Sequence, residues 1–498
     1  MKKRWILITL LLLGGIVLAA CQPQTVEVTR VVTEKETVTE TVEVTRVVTE
    51  TVVEEGETVE VTRVVEVPAE VGEKTVVEFW TTDNEADRVD TYEAVAARFM
   101  EANPNIEVRI VPIEEAGITQ RIATAQAANR LPDIVRMGIE RVAAFAADGI
   151  LDEDAATAVI QSIGEDDFRA GPLQMVTDPA TGKYAAVPYD GWIQAIWYRE
   201  DVFNELGLEP PTTWEALKAS CEALPGNADM LYGITLGTDP GQNYGQQVFE
   251  QFAISNNAWP FDADGNVSMN TPEMIEALEF YTSLQDCAAP GPQYWRGARE
   301  NYELGQSGML FYSTYIMDDL VEGSGLEGGG NVELVIPDLA ANTGFAPELK
   351  GPNGEPASYG QLVALGIMQG ADPEAQQVVE YFLTEGYGDI IGLAPFGKVP
   401  VLKSAVDDWK TSSEYFANYS DETLDQIANG FDSMQRWLFR PDYDATQRAV
   451  IGDIEGRLLL PTVISNIIEG TMTPETAAQF LQEQVEQMYA DRQAESEG

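Results

Sequence analysis

The chain has 498 residues, more than a single hydrophobic core usually supports, so two lobes or domains are expected, and its 44% hydrophobic content is that of an ordinary globular protein. Its 82 acidic and 30 basic residues give a formal charge of −52, which argues against nucleic acid as a partner because phosphate binding needs a basic face. The absence of histidine excludes His-based triads, His-ligated zinc and His general bases, but leaves an enzyme with a carboxylate pair open.

Residues 1–21 read as a targeting segment. Lys2-Lys3-Arg4 is the positive start, 5–18 the apolar run, and Leu18-Ala-Ala-Cys21 the cleavage region. Small residues before a cysteine resemble a bacterial lipobox, in which Cys21 becomes the lipidated first residue of the mature chain. The apolar run is shorter than the roughly 20 residues a spanning helix needs. The rest is therefore expected outside the cytoplasm, held to the cell membrane by a lipid anchor. Residues 22–74 are low-complexity Val, Thr and Glu. Val26-Glu-Val-Thr-Arg-Val-Val-Thr-Glu34 recurs at 42–50 and nearly at 59–67. β-Branching favours extended backbone, and acidic repulsion favours a stalk over self-association of strand edges.

The folded body starts at Thr75. Strands are expected at 76–80, 106–113 and 132–136, with helices at 89–100 and 118–129 between them. That alternation predicts a mostly parallel sheet with helices on both faces, whose ligands bind beyond the carboxyl ends of the strands, here 80–84 and 137–141. A helix closes at 144–151, and 177–182 is a turn. Residues 184–189 and 193–198 read as two short strands separated by a turn, Asp190-Gly-Trp192. A helix over 201–206 follows, stopped by Gly207. Thr212 or Thr213 caps the next helix. A strand is expected at 232–236 and a helix at 244–255. A long helix spans 272–286 with Met274, Ala277, Leu278 and Tyr281 inward. Strands at 308–312, 332–336 and 362–368 and a helix at 372–385 precede a mainly helical remainder. The glycine-rich 323–330 lacks the lysine and Ser/Thr of a phosphate loop and reads as a surface loop. Asp262-Ala-Asp-Gly265 reads as a turn rather than a calcium loop, so no metal or other cofactor is expected.

The order of several short motifs resembles the extracellular solute-binding proteins that serve ABC importers, in particular the maltose-binding-like sugar group. The motifs are Phe99-Met-Glu-Ala-Asn-Pro-Asn-Ile-Glu107, Leu131-Pro-Asp-Ile134, Gly149-Ile-Leu-Asp152, Lys183-Tyr-Ala-Ala-Val-Pro188, Trp197-Tyr-Arg-Glu-Asp-Val-Phe203, Gly207-Leu-Glu-Pro-Pro-Thr-Thr-Trp214, Gly308-Met-Leu310 and Gly397-Lys-Val-Pro-Val401. The resemblance implies a type II periplasmic-binding-protein-like α/β fold with a helical C-terminal region, closing on a ligand without chemistry. It implies an N-lobe of 75–187 and 316–386 and a C-lobe of 188–315 and 387–498. The stretch around Tyr189 would be the first crossing between them, with 309–316 and 383–390 supplying the others.

Aromatic rings pack on the apolar CH face of a pyranose, and carboxylates and amides hold its hydroxyls. The candidate ligand contacts are Trp80, Tyr189, Trp192, Trp259, Trp295, Tyr312, Tyr315 and Tyr359, with the polar residues Asp83, Asn84, Glu140, Arg141 and Asp190. Tyr294 is weighed as a further aromatic. Two positions depart from the relatives' pattern: Met137 replaces a usual stacking tryptophan, and Tyr359-Gly360 a usual Gly-Gly. Cys221 and Cys287 remain once Cys21 is lipidated, as a disulfide or as two buried thiols.

The expected function is capture of a carbohydrate by a monomer that delivers it to the permease subunits of an ABC importer. The rivals are a secreted carbohydrate-active enzyme, a stalked adhesion protein, and a binder of a cationic ligand such as a polyamine or peptide.

Overall fold

The computed structural model describes residues 74–114, 117–321, 336 and 338–494, with the backbone alone at 45–54, 57–66 and 495–497. The targeting segment, Cys21, the first repeat copy, the glycine-rich 323–330 and nearly all of the strand expected at 332–336 lie outside the described residues. The chain divides into two units, Met1–Val71 and Gly72–Gly498.

In the first unit, β1 (Thr45–Glu54) and β2 (Glu57–Glu66) pair antiparallel from Thr45 opposite Glu66 to Glu54 opposite Glu57. The second and third repeat copies therefore lie against each other within one chain. The sequence reading weighed such pairing below an unpaired stalk.

The second unit is built on an eight-stranded sheet. Its strands are β3 (Thr75–Thr81), β4 (Ile106–Pro112), β5 (Ile134–Gly138), β6 (Val187–Arg199), β7 (Met309–Ser313), β8 (Thr343–Ala346), β9 (Tyr359–Ile367) and β10 (Val399–Pro400). The order is β10-β6-β9-β5-β3-β4, with β7 and β8 joined to β6. β3 lies parallel to both β4 and β5, as the strand–helix alternation predicts. The crossover helix Ala86–Ala102 buries Tyr92, Val95, Ala96 and Phe99 on one stripe. It stops at Asn103, whose side-chain amide donates to the Phe99 carbonyl at 3.0 Å. From β5 onward the sheet turns antiparallel, through β9 to β6.

β6 corrects the sequence reading. Asp190-Gly-Trp192 is no turn but the middle of one continuous 13-residue strand. A proline and a glycine weaken strand propensity locally, yet β9 pairs along 187–194 and β10 at Gly191 and Asp190, so ladder bonds reach both edges. The register shifts between Pro188 and Asp190, leaving Tyr189 as the extra residue of a bulge where proline has no N–H to give. The last third of β6 changes partners and pairs with β7 and β8. One strand thus runs out of the β9-β5-β3-β4 set and into the β7/β8 set.

The helices after β6 follow local signals. Gly207 ends Glu200–Leu206 at φ +66°, a conformation glycine takes without strain. The Thr213 hydroxyl caps Trp214–Ala223 by accepting from the Ala216 N–H. Pro272–Ser283, capped by Thr271, buries the four residues expected. The strand expected at 232–236 forms only isolated parallel bridges, to Ser307, Ala288 and Leu310. β8 and β10, four and two residues long, went unread because so short a run carries no periodicity. The sequence reading grouped 316–386 with the first lobe. Within it, β8 pairs with the end of β6, Lys350 bridges to Thr213, and Asn353 bonds Asn256. These residues pack with the second-lobe elements.

Cys221 and Cys287 form a disulfide, with Cα atoms 5.7 Å apart, tying the helix Trp214–Ala223 to the segment just past the helix Pro272–Ser283. Among the described residues, no helix is long and apolar enough to cross a membrane.

Candidate functional site

At the carboxyl ends of β3 and β5, where ligands are expected, the chain places a buried charge network. Asp83, just past β3, is 3% exposed. Its Oδ1 accepts from Arg88 Nη1 at 2.8 Å, and its Oδ2 from Lys398 Nζ at 2.8 Å and Tyr92 Oη at 3.1 Å. Arg136, in β5, brings Nε to 3.3 Å from Asp83 and Nη2 to 3.3 Å from both oxygens of Asp190. Lys398, one residue before β10, also lies 3.4 Å from Asp190. Burial by itself would raise the Asp83 carboxyl, but Lys398, Arg136 and Arg88 outweigh it and hold the group well below the usual carboxylate range. Asp83 and Asp190 are therefore committed to internal cations, not turned toward open space. Asn84, partly buried, and the half-buried Arg88 lie nearer the surface.

A second constellation runs from the first-lobe helix to the C-terminal region. Glu140 accepts from Arg141 Nη1 at 3.1 Å and from Gln361 Nε2 at 2.7 Å. Arg436 Nη1 donates to Gln361 Oε1 at 3.1 Å, while its Nε donates to Glu250 at 3.2 Å. The same guanidinium stacks 4.5 Å over the Tyr359 ring, and Trp192 lies 6.3 Å from the other aromatic centroid. Burial pushes the Glu250 carboxyl up, with Arg436 and the Trp437 N–H pulling against it. Tyr359 is 1% exposed and Tyr189 fully buried, so both correct to core residues that back the site. Trp192 is partly buried, so its ring is not sealed into the core as those two are.

Beside this constellation a small open groove of about 100 Å³ is lined by Gln174, Met175, Trp259, the 434–436 segment and 439–441. Arg440 stacks 5.1 Å over Trp259 and donates to the Phe261 carbonyl at 3.1 Å. The helix Ala170–Val176, which supplies Gln174, hangs from the N-terminal side of β6, whereas Trp259 follows the helix Tyr244–Ser255. The groove therefore has walls from both halves of the body.

The remaining aromatics divide. Tyr315, 41% exposed, lies flat on Gly397, where any side chain would overlap its ring. Tyr312 is buried, and Trp295 is 37% exposed with Arg296 and Arg299 against its ring. Tyr294 packs edge-on to Trp295. Trp80 corrects to a core residue, with its indole N–H on Glu78 and Arg121 over its face. Among the described residues no acidic, cysteine or histidine group is arranged to hold a metal ion. Asp262 instead accepts from the Asp264 and Asn266 N–H groups at 2.9 Å, closing a turn.

Sequence reasoning missed Arg136, Lys398, Gln361 and Arg436. Arg136 had a signal: a charge inside a fully buried strand demands a partner. Lys398 stood inside a quoted motif, whereas nothing local marked Gln361 or Arg436.

The family described as "Bacterial extracellular solute-binding protein" matches residues 82–389. A putative ABC transporter periplasmic-binding protein of Escherichia coli, YcjN, is 28% identical over 420 residues, 83% of this chain and 92% of that protein. A mannitol-binding protein of Pseudomonas aeruginosa is 24% identical over 298 residues, covering 59% of this chain and 66% of its own. Among solved structures, the sugar-binding protein MalE of Xanthomonas citri superposes with a TM-score of 0.66 at 20% identity, covering 85% of this chain and 99% of its own. The GacH receptor of Streptomyces glaucescens, solved unliganded and with acarbose, gives 0.61 at 19%, with 84% and 99% covered. The likeness to these structures is one of fold, and it is the two-lobed type II α/β fold expected from the motif order.

Proposed function

Because the chain belongs to the bacterial extracellular solute-binding protein family, we propose that it captures a carbohydrate between two lobes and delivers it to the membrane permease of an ABC importer. The observation that carries the carbohydrate class is the groove itself. The Trp259 indole in its wall, with the partly buried Trp192 beyond the Arg436–Tyr359 stack, offers an apolar ring to a sugar's CH face, and Gln174, Gln435 and Arg440 offer donors to its hydroxyls. The sugar-binding and mannitol-binding names of related proteins support the same class.

β6 and β9 serve as crossing strands, since each pairs with elements on both sides of the groove. The first lobe is built on β3, β4 and β5, and the second on β7, β8 and the helices around Trp259. A ligand touching both lobes biases the open–closed equilibrium by the difference in its contacts with the two states. Binding leaves the sugar chemically intact, so the chain is no enzyme. Cys21 carries the lipid that tethers the monomer outside the cell membrane, each buried methylene contributing about 0.8 kcal/mol.

Thermal-shift screening across sugars, polyols, polyamines and peptides tests the class. Stabilisation by a sugar or polyol supports it, and stabilisation by cations alone overturns it.

A further inference from the structure

The helix Trp295–Glu303 ends on a carboxylate to which no donor comes from among the described residues. Glu303 is 1% exposed, and neither of its carboxyl oxygens accepts a hydrogen bond. The nearest cation is Arg299, one turn earlier, with Nε 3.5 Å from Oε1 in a geometry that makes no hydrogen bond. Arg299 is committed elsewhere: its Nη1 donates to Asp319 Oδ2 at 3.0 Å. The charged groups facing Glu303 are Arg299 and Glu300 from its own helix and Asp318 and Asp319 from the short helix Ile316–Asp319. Tyr312 of β7 borders the same charges.

Arg299 is thus shared between Glu303 and Asp319, with Asp318 in the same field. An ionised carboxylate that is buried and lacks a donor is costly, and the remedy that needs no rearrangement is a proton. Glu303 is too deeply placed for a ligand to reach. The helix it faces follows directly on Tyr315, whose ring lies against Gly397, next to the Asp83–Lys398 network.

We propose that Glu303 is a buried proton-binding site that couples the packing of the Tyr312–Tyr315 segment against Gly397 to external pH. Burial, then the neighbouring Asp319, pushes the Glu303 carboxyl up to about 7, and the same two causes push Asp318 up to about 6. An unfolded glutamate titrates near 4.3. The stabilisation is therefore fully present below that value and is lost as pH rises through about 7. At acid pH the segment is held; at alkaline pH a second ionised carboxylate competes for Arg299 and loosens it. This inference does not depend on the ligand being a carbohydrate.

The test is hydrogen exchange of peptides covering 309–320 in the full chain between about pH 5 and 8, corrected for intrinsic exchange, in wild type and Glu303→Gln. Protection should fall severalfold with rising pH in wild type and clearly less in the variant, where Asp318 alone is left to titrate in that window. Parallel profiles would overturn the proposal. Should Glu303→Gln fail to fold, infrared titration of Asp318→Asn, in which the other raised carboxyl of the cluster is gone, decides instead. A buried protonated-carboxyl band present at about pH 5.5 and lost by about pH 8 supports the site, and its absence at the lower pH refutes it.

Discussion

Lys398 reaches Asp83 at 2.8 Å across 315 residues of sequence, and neither side chain is more than 4% exposed. The pair ties the end of β3 to the entry of β10, and so fixes the floor of the body where the crossing strand β6 passes. Breaking a buried pair by removing one partner leaves an uncompensated charge, which costs about 3–5 kcal/mol. Lys398→Met keeps the length of the side chain and removes the ammonium. It should lower unfolding stability by that amount in denaturant titration, and a loss below about 1 kcal/mol would mean that Arg136 and Arg88 already satisfy the two carboxylates.

The same network sets an acid limit. Asp83 is held below the unfolded aspartate value near 3.9, so its contribution is complete above about pH 4 and disappears as pH falls through the folded value. Unfolding midpoints measured from about pH 5 down to 2 should drop more steeply in wild type than in Asp83→Asn. Equal slopes would place the acid sensitivity elsewhere.

Trp192 tests the aromatic side of the proposed site. It is the aromatic ring on β6 that is not fully buried, with Tyr359 beside it and Arg436 stacked on Tyr359. Trp192→Ala should weaken sugar binding about tenfold or more, the loss of one aromatic contact, with the unfolding midpoint little changed. Unchanged affinity would return Trp192 to the scaffold.

The Cys221–Cys287 disulfide closes a sequence separation of 66 residues. On the chain-entropy account it contributes about 4 kcal/mol by restricting the unfolded state. Denaturant unfolding with and without reductant, or of a double Cys→Ser variant, should differ by that order. An unchanged midpoint after verified reduction would contradict the account.

Much of the architecture was legible where apolar periodicity is strong. The helix Pro272–Ser283 buries Met274, Ala277, Leu278 and Tyr281 as its 3.6-residue spacing requires, and Thr213 caps where a Thr-Trp-Glu start predicts. β6 was misread because Pro188 and Gly191 signal a break locally, whereas β9 and β10 hold the strand straight through them. The site was legible in part for a related reason. Asp83, Asp190 and Glu140 follow from strand ends, but their partners Lys398, Arg136 and Gln361 come from distant sequence, and which carboxylates are spent internally depends on those partners. Exposure separates Trp192 from Tyr189 and Tyr359, and exposure is a property of the packed chain.

The central claim, binding of a carbohydrate without turnover, is tested most directly by calorimetric titration of the purified protein with the sugar or polyol that stabilises it best, followed by chromatography of the ligand after prolonged incubation. The account predicts saturable binding at one site per chain and recovery of the intact ligand. Cleaved product, or no saturable heat with any sugar or polyol, would contradict it.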